Sequence, residues 1–222
     1  MSHRAGIVVF SRMSSARLPG KALADFGGMP LLAWALRRAR SLAYPVFLAT
    51  SDDPSDAPLV ELAAAEGIAS YRGALADVLG RALGAAETFD LDPIVRLCGD
   101  RPYFDLDDMA RAVEIALAEP SLDLISTWLP GVTAVGLTTE VIARAALTRA
   151  ATLAREPAER EHLTSWLYQP AAQSRIRRLP AAAHGLRAGY AVDTAADLAR
   201  LYPNPEWAPS VPRATVSARV EA

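Results

Sequence analysis

AGIVVF (Ala5 to Phe10) runs directly into SRMSSARLPGK (Ser11 to Lys21), and this stretch decides the fold. A short, continuous apolar run with β-branched residues reads as a buried strand. Its loop, residues 11–29, is punctuated by Pro19, Gly20, Gly27 and Gly28. Pro30 then opens a helix to about Arg40, at a position where its missing amide costs nothing. The unit recurs. Val46 to Thr50 is a strand, the loop SDDPSD (Ser51 to Asp56) follows, and a helix runs from about Ala57 to Glu66. Ile68 to Tyr71 reads as a short third strand, Leu75 to Thr88 as a helix with Asp77 in its first turn, and Ile94 to Cys98 as a fourth strand. Asp105 begins a helix to about Glu119. This order predicts an α/β chain whose parallel sheet is covered on both faces. Such sheets bind ligands at the carboxyl ends of their strands, where Ser11, Ser51, Gly73 and Asp100 fall.

The second half is less regular. Leu122 to Ser126 and Val132 to Leu137 read as strands, Glu140 to Leu153 and Ala158 to Tyr168 as helices, and Ile176 to Leu179 as another strand. Tyr190 to Val192 leads through Asp193 into a helix from Ala195 to Leu201. No composition break marks a second domain, so one domain is expected over residues 1–202. Pro203, Pro205, Pro209 and Pro212 make residues 203–222 a Pro-rich tail, either an extended wrap or partly disordered.

Of the 222 residues, 51% are hydrophobic, enough to bury a core and to exclude a purely disordered chain. The formal charge of -2 gives no general attraction to nucleic acid or to an anionic membrane. That average hides a gradient. Residues 1–50 carry seven basic and one acidic residue, and residues 51–150 seven basic and seventeen acidic. If the fold joins these regions, a positive loop faces carboxylates, as a site for phosphate plus a divalent cation needs. Cys98 is the only cysteine, which excludes an internal disulfide and points to a reducing compartment. With no apolar run near the roughly 20 residues of a membrane span and no long apolar segment at the N-terminus, a cytoplasmic protein is expected. Within its apolar run, Cys98 reads as a buried structural thiol. His3, His162 and His184 lack zinc-ligand spacing.

The loop from Ser11 to Lys21 places three cations and three serines straight after the first strand. Small residues let backbone amides approach an anion, while Arg12, Arg17 and Lys21 can neutralise a polyphosphate. The order is neither that of a Walker loop, G-x-x-x-x-G-K-S/T, nor the G-x-G-x-x-G of a dinucleotide fold. A solvated basic loop is the alternative. Asp100 and Asp193 both follow apolar runs at the ligand edge, where two carboxylates can share one Mg²⁺. Each has a plainer reading: Asp100 in a turn before Asp105, and Asp193 beside a capping box of Thr194 and Asp197, worth roughly 1 kcal/mol or less.

These motifs together resemble the bacterial sugar-acid cytidylyltransferases, most closely the spore coat polysaccharide biosynthesis branch of the acylneuraminate cytidylyltransferase family. The matching stretches are SRMSSARLPGK (11–21), GGMPLL (27–32), ATSDD (49–53), Arg72-Gly73 with DVLGR (77–81), and VRLCGDRP (95–102). GLTTEV (136–141), REHLT (160–164) and VDTAADL (192–198) follow in the same order. The resemblance covers roughly residues 5–202. It implies a single-domain, Rossmann-like, three-layer nucleotide-diphospho-sugar transferase fold with a predominantly parallel, mixed sheet. The implied enzyme is a Mg²⁺-dependent nucleotidyltransferase that moves a cytidylyl group from CTP to an acidic sugar or similar small anionic acceptor, with pyrophosphate leaving. Another nucleotidyltransferase or a nucleotide-sugar glycosyltransferase on the same fold, or a noncatalytic nucleotide-binding homologue, are the alternatives.

Carried over by motif, Arg12, Met13, Ser14, Ser15, Arg17, Lys21, Ser51, Asp77 and Arg81 fall on the CTP side. Arg17, Lys21 and Asp100 serve the reaction, and Asp100 and Asp193 the metal. Asp77 and Arg81 read equally as an intrahelical pair. Glu140, Arg160, Glu161 and His162 fall on the acceptor side or at a dimer interface, and the resemblance implies a homodimer through residues 128–185. Three features depart from the family. Ser14 stands where Gly is usual, Thr138 where many relatives have Asp, and Trp128 to Gly136 is shorter than the usual segment. These bear on the loop's backbone and on the acceptor.

Overall fold

The computed structural model describes residues 4–129, 133–180 and 189–202. Its strands are β1 (Arg4–Phe10), β2 (Val46–Ser51), β3 (Ser70–Gly73), β4 (Leu91–Cys98), β5 (Leu124–Ser126), β6 (Glu140–Ile142) and β7 (Ile176–Arg178). They form one sheet in the order β3-β2-β1-β4-β6-β5-β7. β1 pairs in parallel with β2 and β4, β2 with β3, and β5 with β7, whereas β6 runs antiparallel to both of its neighbours. The largely parallel, mixed sheet is the one expected.

β1 is apolar throughout because both of its faces are covered. Ile7 and Val9 pack with α1 (Leu31–Ala39), α2 (Ala57–Ala65) and α4 (Leu106–Ala118), through residues such as Leu36, Leu59 and Val113. Val8 and Phe10 point the other way, onto α3 (Val78–Thr88) and α5 (Arg144–Leu153), through Leu79, Ala82 and Leu147. Burying one such Val or Leu side chain stabilises by roughly 1.5–3 kcal/mol. Three layers follow from this alternation. A smaller cluster of Phe26, Leu31, Tyr103, Tyr190, Val192 and Leu201 binds α7 (Ala195–Leu201) to the loop before α1.

The expected elements of the first half are present, with β3 displaced to Ser70–Gly73 and Asp77 moved out of α3 to its N-cap, where its carboxylate accepts the Gly80 amide at 2.8 Å. The second half required corrections. No strand occupies residues 133–137, and Val132 lies outside the described residues. Gly136 sits in a turn there with φ 95, which interrupts an extended run. The strand of this region is β6, where a helix was expected to begin. Glu140 to Ile142 are buried in ladders to β4 and β5, so α5 starts only at Arg144. The helix expected over 158–168 is broken: α6 (Pro157–Glu161) ends at His162, and the chain re-forms as a 3-10 turn at Trp166–Tyr168. The break turns the hydroxyls of Thr164 and Tyr168 to Glu140. Tyr190 to Val192, the apolar run before Asp193, joins no ladder. The Pro-rich residues 203–222 lie outside the described residues.

Candidate active site at the carboxyl edge of the sheet

A cavity of about 490 Å³ opens where β1 and β4 end. The loop after β1 forms one wall because it folds back on Met13. The Met13 carbonyl accepts the amides of Ser15 and Gly20, both at 3.0 Å, and Gly20 adopts φ 71 before a 3-10 turn that begins at Lys21. This closure brings Arg12, Ser14, Ser15, Arg17 and Lys21 to the cavity. Ser14 has no positive φ, so serine costs this loop no strain where the family usually has glycine. Gly99, after β4, lets the loop pass close, since a Cβ there would lie 3.2 Å from the Cβ of Ser11.

Asp56 fixes the loop from behind. Its carboxylate is buried and accepts from the Met13 amide at 2.7 Å, the Thr50 hydroxyl at 2.9 Å, and the amide and hydroxyl of Ser51 at 3.0 and 2.5 Å. Burial pushes the Asp56 carboxyl up, but these donors together hold it below its ordinary value. Ser51, expected on the nucleotide, is buried in this network, and it is Asp56 that its segment contributes to the loop. Sequence reasoning missed Asp56, which lies at the end of an acidic loop read as SDDPSD.

The two aspartates converge. Lys21 Nζ donates to Asp100 at 2.6 Å, to Asp193 at 3.0 Å and to the Val192 carbonyl at 2.8 Å. Its side chain is only 12% exposed. Burial lowers the pKa of the ammonium, yet the Asp100 and Asp193 charges and hydrogen bonds raise it above its ordinary value. Arg17 reaches Asp193 from the solvent side at 2.9 Å. The segment before α7 is held by the Tyr190 amide on the Val135 carbonyl (2.6 Å) and the Val192 amide on the Asp100 carbonyl (2.9 Å). Thr194 and Asp197 form the capping box of α7, so the Asp193 carboxylate turns instead to Lys21 and Arg17.

Opposite the loop, Glu161 accepts from Arg12 at 3.2 Å, and His162 also lines the cavity. Arg81 lines it too, with its Nη1 donating to the carbonyls of Ala74 and Leu75. Burial, and then the nearby Arg12 charge, lower its pKa. Asp77 is outside the cavity wall. It pairs with Arg160 rather than with Arg81, at 2.5 Å. Two further residues come from β4. Leu97 is buried, while Arg96 and Cys98, on the opposite parity, face the cavity. Cys98 is therefore partly exposed, not the buried thiol expected, and Arg96 was not singled out.

Asp100 and Asp193 suit a hard divalent cation, because their oxygens converge on a single positive group. Among the described residues no cluster of three or more His, Cys, Asp or Glu is placed to hold a metal. Two carboxylates are compatible with an ion such as Mg²⁺, which commonly takes one or two protein carboxylates and leaves its other positions to substrate phosphates and water. No helix among the described residues is long and apolar enough to cross a membrane.

The cytidylyltransferase family profile matches residues 6–197. The 3-deoxy-manno-octulosonate cytidylyltransferase of Rhodospirillum rubrum is 36% identical over 128 residues, 53% of this chain and 48% of that enzyme. A cytidylyltransferase structure from Leptospira borgpetersenii superposes with a TM-score of 0.83 at 27% identity, covering 88% of this chain and 84% of that one. A CMP:2-keto-3-deoxy-manno-octonic acid synthetase complexed with CTP shares the fold, with a TM-score of 0.71 at 21% identity over 90% of this chain and 97% of that one. The fold is thus that of the nucleotide-diphospho-sugar transferases. The chain spans 46% to 66% of the length of the curated relatives it matches.

Proposed function

Because this chain belongs to the cytidylyltransferase family, we propose that it transfers the cytidylyl group of CTP to an acidic sugar or similar small anionic acceptor and releases pyrophosphate. One observation carries this reading: the basic loop and the carboxylates of Asp100 and Asp193 meet at Lys21, inside one cavity. An acceptor oxygen attacks the α-phosphorus, and the bond to the pyrophosphate oxygen breaks. Arg12, Arg17 and Lys21 stand where they offset charge on the triphosphate and on the leaving group. Asp100 and Asp193 would hold Mg²⁺, which supplies charge neutralisation to the phosphates when bound. The Asp56 contact to Met13 keeps the loop in shape before the nucleotide arrives, so alignment is prepared in the free protein. Glu161, which accepts from Arg12, and His162 line the same cavity and are read as acceptor-side residues.

The finer reading comprises Mg²⁺ dependence, a sugar-acid acceptor, membership of the spore coat branch, a cytoplasmic setting and a homodimer through residues 128–185. The nucleotide is tested by thermal shift against CTP, ATP, GTP, UTP and common nucleotide sugars, and the reaction by pyrophosphate release with CTP, Mg²⁺ and a panel of sugar acids. Selective stabilisation by CTP and acceptor-dependent pyrophosphate release are expected. Stabilisation by a nucleotide sugar but not by CTP would replace this reading with a glycosyltransferase. Tight CTP binding without turnover across the panel would replace it with a noncatalytic nucleotide-binding role. A monomeric mass at high protein concentration would remove the homodimer.

A further inference from the structure

Arg96 stands deeper along β4 than the two aspartate contacts, two residues before Cys98 and four before Asp100. Its cross-strand neighbour in the β4–β6 ladder is Glu140. Nη1 of Arg96 donates to Glu140 Oε2 at 2.6 Å. The other Glu140 oxygen accepts from Thr164 at 3.0 Å and from Tyr168 at 2.9 Å, so a nearly wholly buried carboxylate locks the guanidinium plane from one end. Burial alone would push the Glu140 carboxyl up, but the Arg96 charge and these hydrogen bonds hold it below its ordinary value.

The remaining edge of Arg96 is different. Its Nε is buried and has no hydrogen-bond partner among the described residues. The side chain is about a fifth exposed, into the cavity. A buried donor left unmade is costly, and this one belongs to a side chain that lines the cavity. The other cations of the wall are committed elsewhere: Lys21 to both aspartates, Arg17 to Asp193, Arg12 to Glu161, and Arg101 to the Thr138 carbonyl. Arg81 also has an unpartnered Nε, but it sits under the field of Arg12 on the side of the phosphate loop.

We propose that the Nε–Nη2 edge of Arg96 receives the carboxylate of the acceptor, and that Glu140 is the positioning residue that presents this edge. Two parallel N–H groups match the two oxygens of a planar carboxylate. Because Arg96 and Glu140 together carry no net charge, the edge selects by hydrogen-bond geometry and suits a monoanion. In the cytidylyltransferase reading a polyphosphate takes Arg12, Arg17 and Lys21, whose present carboxylate partners it exchanges for phosphate oxygens. This proposal rests on the cytidylyltransferase reading for the identity of the acceptor, but not for the existence of the carboxylate site.

The test follows the ¹⁵N resonance of the Arg96 Nε–H in the full, nucleotide-free chain, assigned by its loss in Arg96→Lys. The titrants are 3-deoxy-manno-octulosonate, its carboxamide, pyruvate as a bare carboxylate, and orthophosphate. The resonance is expected to move with the carboxylates and to stay in place with the amide. Affinity for the sugar acid or pyruvate should fall about tenfold or more in Arg96→Lys, which keeps the charge opposite Glu140 but lacks the two-donor edge. A resonance unmoved by both carboxylates, or moved equally by the amide, or moved by orthophosphate in preference, overturns the proposal. If Arg96→Lys fails to fold, the Nε–H resonance is assigned by through-bond correlation to the Arg96 backbone, and the wild-type titration decides. Movement of the resonance without any CTP turnover would keep the Arg96 site and discard the reaction. CTP turnover with unchanged acid affinity in Arg96→Lys would do the reverse.

Discussion

Removing the Asp56 carboxylate should damage both the fold and the nucleotide site, by amounts that can be separated. In Asp56→Ala four donors lose their acceptor: the Met13 amide, the Thr50 hydroxyl, and the amide and hydroxyl of Ser51. Thr50 and Ser51 are fully buried, so bulk water does not reach the stranded donors. Hydrogen bonds to a charged acceptor contribute about 1.5–3 kcal/mol each, and each stranded buried donor costs about 1–3 kcal/mol. The two hydroxyls can rotate toward other acceptors, whereas the Ser51 amide cannot. A non-additive total of about 3–5 kcal/mol follows, large but within the stability of an ordinary domain. The released Met13 amide adds a second effect. Re-ordering one loop residue on binding costs about 1–2 kcal/mol, which is roughly a 5- to 30-fold loss of CTP affinity. Denaturant unfolding measures the first quantity, and calorimetric titration with CTP and Mg²⁺, at a temperature where the variant is folded, measures the second. A folded variant that loses the stability but binds CTP within about twofold of wild type would refute the loop-positioning role.

The pH dependence follows from the same group. The folded pKa of Asp56 lies below its ordinary value of 3.8, so its stabilisation is complete above that value and is lost as pH falls through the folded pKa. The stability gap between wild type and Asp56→Asn, from urea unfolding, should therefore narrow below about pH 3.8 and not on the alkaline side. In Lys21→Met the two aspartates lose the ammonium between them, and the free protein should be less stable by about 1–3 kcal/mol, since the group is largely but not wholly buried. Mg²⁺ alone should then raise the melting temperature of Lys21→Met more than that of wild type; an equal shift would argue against a shared metal position. Gly136→Ala forces a side chain onto φ 95 and against the backbone of Tyr190 and Ala191, in the segment that carries Asp193. It should cost about 2–4 kcal/mol and weaken CTP–Mg²⁺ binding, whereas Gly189→Ala, with ordinary contacts only, should do neither.

Much of the site could be read in the sequence because its residues fall where an apolar run stops. Arg12 to Lys21 follows β1, and Asp100 follows β4, and a parallel sheet puts both at one edge. The residues that were missed lie where no local signal separates function from structure. Arg96 is a single charge inside the apolar strand IVRLC; its parity with Cys98 and Asp100 is the clue that was present, but its partner Glu140 is on a strand read as helix. β5, β6 and β7 have three residues each, too few for periodicity to distinguish strand from helix. Their identity comes from ladders to distant residues. Asp56 was hidden among three aspartates in one loop, where only its packing under Met13 marks it out.

The convergence of the basic loop on Asp100 and Asp193 is tested most directly by pyrophosphate release from CTP and Mg²⁺ in Asp100→Ala, with a sugar acid that wild type accepts. Loss of release, at least about a hundredfold, is expected in a variant that still folds. Full activity in Asp100→Ala would contradict the mechanism.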